Sequence, residues 1–92
     1  MGKYLVVHPV GGDMSMEAAT PVGKAVKAQC NADAYWARSW YVPEEGKFYC
    51  EWEAKDADAV KSAMAAAFKI AGELPVEGVY PIAASFSGED YR

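Results

Sequence analysis

The chain has 92 residues, a formal net charge of −4, 52% hydrophobic and 24% charged residues. This is the composition of an ordered globular protein, and the acidic balance with singly scattered Lys and Arg excludes a partner whose phosphates must be neutralised, so no nucleic acid is expected. No apolar run is long enough to cross a bilayer as a helix, so no membrane partner is expected either.

In chain order, "KYLVVHPV" at residues 3–10 is rich in β-branched and aromatic residues and reads as a first, central strand. It contains no signal-peptide cleavage pattern. Cys30 and Cys50 are far apart and form no CxxC, so a cytoplasmic location with two reduced thiols is expected. "GGDMS" reads as a loop. Residues 14–31 look helical, but Pro21 interrupts them. Thr20 before Pro21 suits an N-cap and first helical residue, which predicts a main helix over about 21–31 preceded by a kink or short turn. "AYWARSWYV" (34–42) and "KFYCEWEA" (47–54) are strands joined by the four-residue turn "PEEG". Asp56 caps a second helix with the apolar stripe Val60, Ala63, Met64, Ala67, Phe68 and Ala71, and Gly72 ends it. "GVYPIAAS" (78–85) is the last strand. Pro81 cannot donate to a ladder, so this strand belongs at an edge. The expected organisation is one domain over 1–85 and a loose tail over 86–92.

The order β-α-β-β-α-β is the ferredoxin-like α+β arrangement: a four-stranded antiparallel sheet with both helices on one face. Opposing Val42 to Lys47 across the turn sorts the hairpin into two faces. Tyr41–Phe48, Ser39–Cys50 and Ala37–Trp52 would face the helices. Trp40–Tyr49, Arg38–Glu51 and Trp36–Glu53 would lie on the other face, and a bulge would shift the second strand by one residue. Three Trp, six Tyr and three Phe are more than a core of this size hides. Trp36, Arg38, Trp40, Tyr49 and Glu51 therefore predict a homodimer interface, sheet packed on sheet, with Tyr49 stacked on Trp40 and Arg38 paired with Glu51.

No catalytic residues emerge. Glu51 and Glu53 share a face but lie beside Arg38 and Lys47, which favours ordinary charge pairing over acid–base work. Cys50 alternates with Phe48 and Trp52 as a core residue would. Ser15, His8 and Asp13 lack a nucleophile elbow, and "PVGG" lacks the spacing and Lys of a phosphate loop. His8 is the lone histidine. It could approach Tyr49 and Glu51 on one face or Cys50 on the other, and either set gives a metal too few ligands within one chain.

The stretch "ARSWYVPEEGKFYCEWEAKDADAV" resembles a family of small ferredoxin-like domains of unknown function, of the dimeric α/β-barrel type, that includes a nickel-binding protein. Trp40, Pro43, Gly46, Tyr49, Cys50, Glu53, Ala54, Ala59 and Val60 carry the likeness, with Val7-His8 in the first strand and Ala71-Gly72 at the end of the second helix. The resemblance implies a dimer and, in one branch, nickel binding, with His8 as the metal-ligating candidate. The family pattern has a second His on helix two, where this chain has Met64 or Phe68.

The expected function is that of a small cytoplasmic homodimeric module that binds a ligand or metal without catalysis of its own. The alternative is a small monooxygenase- or isomerase-like enzyme of the dimeric α/β-barrel type. Its pocket would lie between sheet and helices, where Ala37, Ser39, Ala63 and Ala67 leave room. The expected partners are a second copy of the chain and a small apolar ligand.

Overall fold

The computed structural model describes residues 1–91, in the order β1 (Gly2–Pro9), α1 (Met16–Gln29), β2 (Ala34–Val42), β3 (Lys47–Ala54), α2 (Ala57–Ala71) and β4 (Gly78–Ile82), followed by a 3₁₀ turn at Gly88–Tyr91. The strands form one antiparallel sheet in the order β2-β3-β1-β4, and both helices pack on the same side of it. This is the ferredoxin-like arrangement expected from the element order. β1 is central and β4, with Pro81, lies at an edge. The last strand ends at Ile82 rather than 85, and Arg92, the final residue of the expected tail, lies outside the described residues. Among the described residues no helix is long and apolar enough to cross a membrane.

The core sits between sheet and helices. Val6 from β1, Trp52 from β3 and Val60 from α2 are its largest fully buried side chains, with Ala34, Ala54, Ala63 and Met64 around them. Asp56 caps α2 by accepting a hydrogen bond from the Ala59 N–H at 2.8 Å, and Gly72 closes it at φ +97°, a region L side chains rarely adopt.

Helix α1 begins a full turn earlier than the Thr20-Pro21 pair predicts. Ser15 is the N-cap: its Oγ accepts from the Ala18 N–H at 3.0 Å. Pro21 sits in the second turn, where its missing N–H removes a single rung. Thr20, no cap, donates its hydroxyl back to the Met16 carbonyl at 2.8 Å. One early proline is thus tolerated in a helix that is capped before it and anchored after it by Ala25 and Val26.

The hairpin register agrees with the expected pairing from Val42–Lys47 to Arg38–Glu51 and then departs from it. A bulge between Trp36 and Arg38 leaves Ala37 unpaired, so Trp36 stands opposite Trp52 and Tyr35 opposite Glu53. Trp36 therefore belongs to the helix-covered face, and its expected place on the open face is corrected. The expected Ala37–Trp52 pair does not form. The cause is visible in the contacts: facing inward, the Trp36 indole packs against the core and its N–H donates to Ser39 Oγ at 2.8 Å. At the hairpin tip Gly46 takes φ +66° and its carbonyl accepts from the Gly11 N–H at 2.9 Å. A Cβ there would come within 3.2 Å of the Gly11 backbone, so the turn and the loop after β1 meet only because this residue is glycine.

Candidate ligand cavity

Alternation along β1 places Val6 and His8 toward the helices and Leu5 and Val7 away from them. In β3 the same alternation turns Phe48, Cys50 and Trp52 inward, and in β2 Ser39, Tyr41 and, through the bulge, Trp36. Above them α1 contributes Val22, Gly23 and Val26, α2 contributes Met64 and Phe68, and the flanking loops contribute Met14 and Leu74. Between these surfaces lies a cavity of about 360 Å³. Gly23 of α1 lies over Trp36, where a Cβ would meet the indole ring at 3.7 Å, an ordinary van der Waals contact.

The polar groups on this wall are few, and nearly all are engaged. Trp36 Nε1 donates to Ser39 Oγ, and Ser39 Oγ donates to Cys50 Sγ at 2.9 Å. The Tyr41 hydroxyl donates to the Gly11 carbonyl at 2.6 Å and accepts from the Met14 N–H at 3.1 Å, while its ring stacks on Phe48 with centroids 5.5 Å apart. Burial pushes the Cys50 thiol up to about 11, against the opposing pull of the Ser39 hydroxyl, so it is neither a thiolate nor an activated nucleophile at neutral pH.

His8 is 3% exposed. Its Nδ1 lies 3.0 Å from the Pro75 carbonyl. A carbonyl can only accept, so Nδ1 carries the proton and Nε2 is the bare nitrogen. Burial lowers the His8 pKa and the Pro75 carbonyl resists that shift, leaving the ring neutral at pH 7. The carbonyl is fixed by its own strap: the Glu77 N–H donates to the Val7 carbonyl at 2.8 Å, and Glu77 pairs with Lys47 at 3.1 Å.

His8 and Cys50 thus share the helix-covered face, and His8 does not reach Tyr49 or Glu51. Arg38, Trp40, Tyr49 and Glu51 do lie on the open face. Their expected contacts do not form. Glu51 makes its ion pair with Lys3 of β1, at 4.0 Å, rather than with Arg38. The Tyr49 hydroxyl is held by the Glu45 carboxylate, and among the described residues the ring stack is Tyr41 on Phe48 rather than Tyr49 on Trp40. Ser39 does open space for the cavity, whereas Ala63 and Ala67 are buried beneath α2 as close packing. Met14, Met16 and Gly23 were not singled out in the sequence: Met14 fell in the expected loop, the residues before Pro21 in an expected kink or short turn, and Gly23 inside the predicted helix, where periodicity does not show which ring it approaches. The signal that could have found the first two is Ser15, an N-cap residue just before Met16.

Among the described residues no three His, Cys, Asp or Glu side chains converge as a metal ion's ligands would. On the cavity wall His8 and Cys50 are the two residues of those types. The arrangement is a small α+β domain with an apolar cavity and one imidazole nitrogen that has no partner among the described residues. The chain belongs to the SCO4226-like family of nickel responsive proteins, whose model matches residues 4–82. Among solved structures it is similar to SCO4226 from Streptomyces coelicolor A3(2), at 19% identity and a TM-score of 0.74 over 91% of this chain and 99% of that one. At that identity the likeness bears on the fold. No curated protein matches the chain.

Proposed function

We propose that this protein is a binding module whose cavity takes a small, largely apolar ligand, and whose uncovered sheet face joins it to a second copy of itself in the cytoplasm. The observation that carries the ligand reading is the cavity itself: about 360 Å³, at the lower end of the range that small-molecule sites occupy, walled by five aromatic rings and three thioethers. Naphthalene is a suitable probe. It should bind the purified protein and perturb Trp fluorescence, because Trp36 and Trp52 line the site. Gly23→Leu, which fills the space beside Trp36, should abolish that binding in a folded protein. No binding to the wild type would end the ligand reading.

The family is described as nickel responsive. In this chain His8 is the single histidine and faces the cavity, and among the described residues no carboxylates converge with it, so these residues do not fit a resident nickel centre. The enzyme reading would use the same cavity. The binding reading is favoured because the Cys50 thiol is pushed up and tied to Ser39, which leaves no activated nucleophile on the wall.

The dimer reading rests on the open face. Trp40 is 47% and Tyr80 45% exposed there, beside Leu5 and Ile82, with Lys3, Arg38 and Glu53 around them. Sedimentation should give a dimer, and Trp40→Glu should dissociate it. A wild-type monomer at high micromolar concentration would refute it.

A further inference from the structure

We propose that the cavity selects a small planar aromatic molecule carrying one hydrogen-bond donor, of the phenol or naphthol class, and that His8 Nε2 is the acceptor that receives it. The proposal rests on the reading of the cavity as a ligand site and adds what that ligand must carry. It follows from accounting for every side-chain polar group on the wall. Trp36, Ser39 and Tyr41 are committed to one another or to backbone groups. The Thr20 hydroxyl is turned back to Met16. That leaves the weak S–H of Cys50 and the His8 ring.

Nδ1 of His8 is fixed on Pro75, so the neutral ring carries no hydrogen on Nε2, which has no partner among the described residues. Among the described residues no fully buried side-chain nitrogen or oxygen lacks a partner. Nε2 is therefore not sealed in protein. Since His8 is 3% exposed and lines the cavity, that nitrogen opens onto the cavity. An acceptor so placed is costly to leave unmatched when an apolar molecule displaces water from it. A ligand O–H or N–H restores the bond. A purely hydrocarbon ligand does not, and a ligand with only acceptors meets a lone pair with a lone pair. The rest of the wall specifies shape. Trp36 and Trp52 on the sheet side, with Met64 and Phe68 across from them, offer ring faces and polarisable sulfur to a flat aromatic.

The experiment compares naphthalene with 2-naphthol, which differ by one hydroxyl, on the wild-type protein and on His8→Leu, by calorimetry or Trp fluorescence. The wild type should bind 2-naphthol about tenfold more tightly than naphthalene, although naphthalene is the more apolar of the two. In His8→Leu that preference should vanish while naphthalene still binds. In ¹⁵N-histidine-labelled wild type, 2-naphthol and not naphthalene should move the Nε2 resonance, a readout that does not depend on the variant folding. If naphthalene binds and 2-naphthol binds no better, the inference is overturned and the cavity reading stands. A preference that persists in His8→Leu, or an unmoved Nε2 resonance, also overturns it. If neither compound binds, the cavity reading falls as well.

Discussion

Gly23 lies in the middle of α1, where glycine is expensive. Relative to alanine it leaves the unfolded chain more freedom to lose, at about 0.5–1 kcal/mol in a helix interior. Gly23 has no left-handed φ that would demand glycine, and an alanine Cβ would meet Trp36 at 3.7 Å, ordinary van der Waals contact. Gly23→Ala therefore adds helix propensity and a methyl group packed against an indole without a clash. The propensity gain and part of the roughly 0.8 kcal/mol of a buried methylene together give about 1–1.5 kcal/mol of added stability. For a domain of this size each kcal/mol corresponds to a rise of about 4–8 °C in Tm. Thermal and urea denaturation followed by circular dichroism would measure it. The same methyl intrudes on the cavity beside Trp36, so naphthalene affinity should fall severalfold as stability rises. A Gly23→Ala protein less stable than wild type would refute this account of the α1–Trp36 contact, because it would mean that the space over the indole is not there. Higher stability with unchanged affinity would place the ligand elsewhere.

Three further outcomes follow from named groups. The folded-state pKa of His8 lies below its ordinary value of 6.5, so the unfolded chain binds that proton more readily. His8's contribution is therefore intact above pH 6.5 and is lost as pH falls below it, by up to about 1.4 kcal/mol per pH unit. Urea midpoints between pH 7 and 5 should fall more steeply in wild type than in His8→Leu, and equal slopes would refute the burial of a neutral ring. Cys50, buried with its thiol pushed up to about 11, should resist a thiol reagent at pH 8 in the native protein and react once unfolded; rapid native labelling at Cys50, located by peptide mapping, would refute it. Trp40→Glu should cost dimerisation while leaving naphthalene binding unchanged, since Trp40 faces away from the cavity; lost binding in a folded variant would mean the two faces are not independent.

Most of the architecture was legible in the sequence because it rests on local periodicity. The alternation in "KFYCEWEA" fixed which β3 residues meet the helices, Asp56 and Gly72 bounded α2, and Pro81 sent β4 to an edge. The start of α1 aside, what was not legible depends on contacts distant in the chain. Ser15 and Thr20 are both good N-cap residues, and a short window that shows Pro21 after Thr20 favours the wrong one. The face His8 takes is settled by the Pro75 carbonyl, 67 residues away. The Arg38–Glu51 pair was inferred from cross-strand register alone, and register does not exclude the third strand: β1 brings Lys3 to Glu51 from the other side. The open face was expected to hold Trp36 as well as Trp40. It holds instead Tyr80, whose ring lies so close over Gly78 that a Cβ there would sit 2.4 Å from it. Val7, cross-strand from Gly78 and from Tyr49, is 4% exposed although it faces away from the helices.

The bulge at Ala37 carries the largest difference between expectation and structure, and it can be tested by removing it. In the observed register Trp36 opposes Trp52 and Arg38 opposes Glu51, with Ala37 the extra, exposed residue between them. Deleting Ala37 would make those two pairs consecutive rungs of a regular ladder, so Ala34, Tyr35 and Trp36 keep their partners and their faces. In the register expected from the hairpin alone, Ala37 opposes Trp52, and the same deletion would shift every residue before it by one and turn Trp36 over. The deletion variant should therefore fold and keep Trp36 shielded. The indole N–H to Ser39 and the Trp36 N–H to the Cys30 sulfur, at 3.4 Å, would hold the strand in place. The cost should be limited to the altered local twist that a bulge provides. Acrylamide quenching in a Trp40→Phe background reports on Trp36 and Trp52 alone, and it should be as weak in the deletion variant as in the background protein, with naphthalene still bound. Quenching that is strong in the Trp40→Phe background and weakens on deletion would show that Trp36 faces outward in the native chain and turns inward only when Ala37 is removed, and the assignment of that ring to the cavity wall would be wrong.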